Sequence, residues 1–164
     1  FYGDTFNHGA TFGGWTVTQG NIDVHAASFQ PSPTAAPSVD LNGIAAGAIA
    51  QTLTTVVGNT YTVRFMMSAH GDVIGTRSLE LSVGGVTSNY SVTTTSGHSL
   101  ANSQWTEQTH SFTATSTSTV LQFRSLSAGN QGPVVADVAV INLSAANGTD
   151  SLIGNSGNDT LIGS

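Results

Sequence analysis

Tyr61-Thr62-Val63-Arg64-Phe65-Met66-Met67 places apolar side chains at positions 61, 63, 65 and 67, with Thr62 and Arg64 between them. Successive side chains of an extended chain point to opposite faces, so this spacing predicts a half-buried β-strand with Tyr61, Val63, Phe65 and Met67 turned inward. The same alternation recurs in both directions along the chain. Upstream it pairs Trp15 with Val17, Ile22 with Val24, Val39 with Leu41 around Asp40, and Ile49 with Leu53 around Gln51. Downstream, Leu79, Leu81 and Val83 run into a Gly84-Gly85 turn. Tyr90 and Val92, Phe112 and Ala114, Leu121 and Phe123, and Val138 and Val140 continue the series. No segment carries a 3.6-residue apolar period; the alanine-rich stretch 44–51 has Gly47 inside it. Threonine-rich strands between regularly spaced turn signals predict an all-β fold, an antiparallel two-sheet β-sandwich or jelly roll. Residues 30–37, with three prolines, read as a surface loop.

Composition narrows the partners. Three arginines and no lysine face nine acidic residues in 164, giving a net charge of −6. Nothing here can neutralise a run of phosphates, which argues against nucleic acid, and an anionic membrane surface is disfavoured for the same reason. No apolar run reaches 18 residues, so membrane insertion as a helix is not expected. Cysteine is absent, which removes disulfides and thiol chemistry and leaves metal as a means of bracing the chain. A Thr/Ser/Gly/Asn-rich, lysine-free chain suits a secreted protein, extracellular or at the cell surface, and its opening on Phe1 is expected of a chain from which any signal peptide has been removed or left out.

The last seventeen residues repeat with a period of nine: Gly148 recurs as Gly157, Asp150 as Asp159, Leu152 as Leu161 and Gly154 as Gly163. Glycine permits the tight turn, the carboxylate offers oxygens to a hard cation, and the leucine packs inward. The two units resemble the calcium-binding nonapeptides of repeats-in-toxin proteins. That resemblance implies a short C-terminal parallel β-roll holding Ca2+ through Asp150 and Asp159, with Gly148, Gly157 and Asn158 completing the shell. The expected division is 1–143 for the sandwich, 144–147 for a linker and 148–164 for the repeats. Two turns are too few to cover their own apolar edge, so the roll must lean on its domain, another chain or bound calcium.

Five segments in order widen the resemblance: Gly14-Trp15-Thr16-Val17, Ser38-Val39-Asp40-Leu41-Asn42-Gly43, Ile49-Ala50-Gln51, Gly58-Asn59-Thr60-Tyr61-Thr62-Val63 and Gly132-Pro133-Val134-Val135-Ala136-Asp137-Val138. Together they resemble the secreted bacterial choice-of-anchor C modules, close to the DUF642 family of galactose-binding-like jelly rolls. The resemblance implies a non-catalytic extracellular module whose relatives are frequently carbohydrate-binding. It also implies a structural calcium where the first and last strands meet, with Asp137 and Asp4 as ligands. The chain departs from the family at Tyr2-Gly3-Asp4-Thr5-Phe6, which lacks the usual glutamate. Asp137 has a plainer reading as a cap on backbone N–H groups, and Asp40 and Asn42 have one as an Asx turn before Gly43.

Sugar recognition needs aromatic faces beside planar polar groups. Trp105, on the glycine- and serine-rich stretch 96–105, is the leading platform, with Tyr90, Asn102, Gln104 and Arg77 as companions. Catalysis has little support. Only Glu80 and Glu107 could serve as a glutamate pair, and His8, His25, His70, His98 and His110 show no local zinc-ligand spacing. Two functions remain: a carbohydrate-binding or adhesion module recognising a polysaccharide or cell-surface glycan, and a structural subunit that self-associates into polymers through calcium and strand addition.

Overall fold

The computed structural model describes residues 3–145 and the backbone of Leu152–Ile153. Its strands are β1 (Gly3–Asn7), β2 (Thr11–Phe12), β3 (Trp15–Gln19), β4 (Asn21–His25), β5 (Ser38–Asp40), β6 (Ala48–Thr54) and β7 (Thr60–Ala69). They continue as β8 (Gly75–Val83), β9 (Val86–Thr94), β10 (Thr106–Thr113), β11 (Ser118–Ser125), β12 (Pro133–Asn142) and β13 (Leu152–Ile153). One sheet runs in the order β1-β4-β5-β12-β7-β10, and the other β2-β3-β6-β11-β8-β9. Every pairing between these strands is antiparallel. The protein is an all-β, two-sheet sandwich.

The alternation seen in the sequence is the core. Tyr61, Val63, Phe65 and Met67 of β7 are buried against Leu79, Leu81 and Val83 of β8 and Leu121 and Phe123 of β11. Phe65 meets Phe123 edge to face across the sheets at 5.0 Å, and Trp15 closes on the same Phe123 at 5.8 Å. Such tilted aromatic pairs add to the area they bury. Gly84 and Gly85 both take positive φ, 59° and 80°, and join Val83 to its partner Val86 in a two-residue hairpin. Only glycine-like residues accept that pair of angles cheaply.

Residues 26–37 depart from the expected surface loop. Proline and threonine are exposed at Pro33 and Thr34, yet Gln30 and Ser32 are buried. Gln30 is a polar plug: its Nε2 donates to Ala69 O at 2.9 Å, and its Oε1 accepts from Gly71 N at 3.2 Å. Ser32 and Thr34 donate to Asp137 Oδ1 at 3.0 and 2.6 Å. The segment therefore lies across the outer face of the first sheet, over β7 and β12. A buried backbone crossing needs such partners.

The β12 ladder is interrupted between Ala136 and Ala139, and Asp137 sits in that bulge at φ 49°. Beyond β12, residues 143–145 form a single 3-10 turn, and β13 adds antiparallel to the end of β12, with Val140 opposite Ile153 and Ile141 opposite Leu152. Phe1, Tyr2, Gly148, Asp150, Gly157, Asn158 and Asp159 lie outside the described residues.

Candidate functional site

Asp40 alternates with Val39 and Leu41, which turn into the core, so its carboxylate projects from the outer face of the first sheet. Cross-strand neighbours are Asp23 on β4 and Val134 on β12. Asn42 N donates to Asp40 Oδ1 at 2.8 Å, closing an Asx turn, and Gly132 N donates to Oδ1 and Oδ2 at 3.0 and 3.2 Å. The Asn42 amide nitrogen in turn donates to the carbonyls of Ser127 and Gly129, at 2.9 and 2.7 Å. The Asx reading of this pair is thus correct, and it also ties β5 to the 126–132 loop.

The same turn leaves a carboxylate only 1% exposed and without a cationic partner in contact. Burial pushes its pKa up to about 8. The two backbone N–H donors and the more distant Arg77 oppose that rise, and Asp23 adds to it.

Two histidines complete the corner. His25, at the end of β4, is 3% exposed, and its buried Nδ1 has no hydrogen-bond partner. Its ring stands edge-on to Phe29 at 4.8 Å and to His70 at 5.3 Å. Burial, reinforced by His70, brings its pKa down to about 4, so the ring is neutral near pH 7. His70 opens the turn between β7 and β8, where Val73 N donates to His70 O at 2.9 Å and Asp72 N to His70 Nδ1 at 3.2 Å. Residues 70–73 therefore close a tight turn. Burial lowers the His70 pKa as well, against the pull of Asp72 and Asp23. Ligating atoms of His25, Asp40 and His70 all lie within 4.8 Å of one another. Sequence spacing gave no sign of this grouping, because its members come from two strands and a distant turn. Only Asp40, charged within an apolar strand, was conspicuous in the chain.

Trp105 anchors a neighbouring polar shelf. Its indole N–H donates to Pro31 O at 3.1 Å, which fixes the half-buried ring against the 26–37 crossover. Gln104 N donates to His98 Nδ1 at 3.2 Å, and His98 Nε2 in turn lies 3.1 Å from His70 O. The 95–105 loop is thereby buttressed on the turn carrying His70. Asn102 is exposed but holds its own loop, donating to Gly97 O at 2.8 Å, while Gln104 Oε1 accepts from Thr95 N at 2.8 Å. Arg77 Nε donates to Gln131 O at 2.7 Å, and its charge is felt at both Asp40 and His70.

Tyr90 does not belong to this shelf. Its ring packs edge-on against Phe65 at 5.3 Å, and its hydroxyl donates to Thr109 O at 2.9 Å, bridging the edge strands β9 and β10 of the two sheets. That geometry makes it a strut between the sheets rather than a stacking platform. A cavity of about 340 Å³ near the β8–β9 hairpin, bordered by Ser82, Gly84, Ser116, Thr119 and Gln122, has no aromatic or charged lining residue.

The predicted union of Asp4 with Asp137 does not form. Asp4 pairs with Val24 on β1, and β4 and β5 stand between that strand and β12, so one cation cannot span the two. Asp137 alone keeps features of an oxygen site: Oδ1 gathers the Ser32 and Thr34 hydroxyls, and Oδ2 is buried without a partner. An oxygen-only donor set suits calcium, and the partners of Asp137 are side-chain hydroxyls rather than the backbone N–H groups of the capping reading.

Comparison with known proteins places this architecture. The CBM35 of Paenibacillus barcinonensis superimposes with a TM-score of 0.52 at 25% identity, covering 84% of this chain and 98% of that one. The CBM22-1 xylan-binding domain from the same organism gives a TM-score of 0.57 at 15% identity, covering 88% and 97%. TmCBM61, solved with β-1,4-galactotriose, gives 0.55 at 16% identity, covering 78% and 88%. No curated protein matches in sequence. The pattern of the family described as "Protein of unknown function (DUF642)" matches residues 5–141, nearly all of the sandwich, and the chain belongs to that family.

Proposed function

We propose that this domain is a non-catalytic, extracellular carbohydrate-binding module that holds a polysaccharide or cell-surface glycan against Trp105. The observation that carries the reading is the pinning of Trp105: its indole N–H is bonded to Pro31 O, so a large ring is held in place at the domain surface. An aromatic fixed before the ligand arrives loses little freedom on binding, and sugar C–H faces stack on such rings while neighbouring polar groups set orientation. Asn102 and Gln104 on the 95–105 loop and Arg77 on β8 supply those groups. The likeness to carbohydrate-binding modules supports the same conclusion. Calcium belongs to this reading as a brace, at Asp137 and through Asp150 and Asp159 of the tail, not as a reagent.

The test is retention of the intact chain on an array of plant and bacterial polysaccharides, with xylan and β-1,4-galactan included. Binding that disappears in Trp105→Ala, while the fold persists by circular dichroism, supports the reading. No retention on any polysaccharide contradicts it. A structural role in polymers draws on a different observation, the addition of β13 beside the C-terminal end of β12, past the residues that β5 pairs. A strand that docks within its own chain can dock on a neighbour's equivalent edge.

A further inference from the structure

We propose that His25, Asp40 and His70 form a binding site for a first-row transition-metal ion of the zinc class, separate from any calcium and from the Trp105 shelf. Two imidazoles and one carboxylate converge from β4, β5 and the β7–β8 turn, with their ligating atoms within 4.8 Å of one another. Imidazole nitrogen favours zinc, copper, nickel or iron over calcium, and a chain without cysteine has to assemble such a site from nitrogen and oxygen.

A second, independent observation is the state of His25. Its side chain is almost wholly enclosed, yet Nδ1 has no hydrogen-bond partner. A buried polar atom left unsatisfied is costly, and a bound cation is one way to remove that cost. Asp40 points the same way: it receives backbone N–H groups from Asn42 and Gly132 but touches no cationic side chain. Asp23 stands opposite it in the β4–β5 register, adding a second carboxylate to the field that would attract a cation.

The group must close slightly to bind. Ligands about 2.1 Å from a tetrahedral zinc lie about 3.4 Å apart, so the widest separation has to shrink by roughly 1.4 Å. His70 is the member that would move, because it lies on a turn whereas His25 and Asp40 lie on paired strands. Three protein ligands leave a coordination position for water. The ion would staple two strands of the first sheet to the turn that leads into the second, tightening the base on which the 95–105 loop rests.

The intact chain, stripped with a chelator, is titrated with zinc and separately with calcium. One zinc per chain should bind here and raise Tm, with calcium unable to displace it. His70→Ala should weaken that zinc more than about tenfold, whereas His8→Ala, at an exposed turn outside the cluster, should not. Zinc bound as tightly by His70→Ala as by the parent overturns the site, as does a parent that takes up no zinc at roughly 100 μM free metal. Should His70→Ala fail to fold, zinc-edge X-ray absorption on the parent decides the matter. Two imidazole ligands support the proposal, and one or none overturns it.

Discussion

Gly132 donates its backbone N–H to both carboxylate oxygens of Asp40, at 3.0 and 3.2 Å, and no residue with a side chain could stand in its place. A Cβ on Gly132 would lie 2.3 Å from Asn42 Oδ1 and 2.7 Å from Asp40 Oδ1. Gly132→Ala should therefore separate the 126–132 loop from β5 and destabilise the domain by about 2–4 kcal/mol, the range of severe packing and hydrogen-bond losses. Urea denaturation measures it. A change within about 0.5 kcal/mol, ordinary for surface positions, contradicts this account of the corner.

Stability without metal should fall as pH rises from about 6.5 to 8. In the folded protein Asp40 holds its proton up to about 8, whereas in the unfolded chain it is a carboxylate above about 4. The native state thus binds the extra proton across this window, and unfolding stability declines by up to about 1.4 kcal/mol per pH unit, about 2 kcal/mol in all. His25, lowered to about 4, acts oppositely, adding stability as pH rises from 4 until the unfolded imidazole is neutral, about one unit above 6.5. His70 and His110 are lowered too, so they oppose the Asp40 slope only in the first part of the window. Urea midpoints at pH 6.5 and 8, in chelator, check the sign. Asp40→Asn should abolish the slope, and equal or rising stability in the parent contradicts it.

What the sequence revealed, and what it hid, follows from the range of the interactions. The alternation at Tyr61, Val63, Phe65 and Met67 and the Gly84-Gly85 hairpin are local, and they report strands, inward faces and a turn directly. The Asp40–Asn42 Asx turn is equally local, being an i to i+2 contact. The convergence of His25 and His70 on Asp40 depends on the order β4-β5-β12-β7, which residue spacing does not encode. Tyr90 read as a companion of Trp105 in a sugar site because an aromatic in a polar strand can face either way. Its burial against Phe65 is decided by the opposite sheet. Gln30 and Ser32 read as solvated because they stand among prolines, yet they satisfy backbone and carboxylate groups that the chain brings from far away.

Calcium at Asp137 has its own signature. In a chain carrying Asp150→Ala and Asp159→Ala, calcium should still raise Tm, because an ion bound only by the native state stabilises it by mass action. Further change of Asp137 to Asn, which tolerates the positive φ, should remove that response. Scanning calorimetry in calcium and in chelator measures both. Identical melting of the tail double variant in the two conditions contradicts the Asp137 site.

Assembly turns on the tail. Leu152–Ile153 already adds to β12, and Leu161-Ile162 repeats the same apolar pair one period later. With calcium offsetting repulsion between chains of net charge −6, light scattering on the intact protein should show large species in millimolar calcium that dissolve in chelator. Deleting 148–164 should leave monomers. A strictly monomeric intact chain at high protein and calcium concentration contradicts self-association.

The central claim is that a pinned Trp105 makes this sandwich a carbohydrate-binding module, and calorimetric titration of the intact chain with the best polysaccharide from the array tests it most directly. The account predicts saturable binding that Trp105→Ala weakens by at least about tenfold, a loss of about 1.4 kcal/mol, with the melting transition retained. Tyr90→Phe, which removes a hydroxyl bonded to Thr109 O on the strut between the sheets, should leave the affinity unchanged. Equal affinity in the parent and Trp105→Ala would contradict the claim.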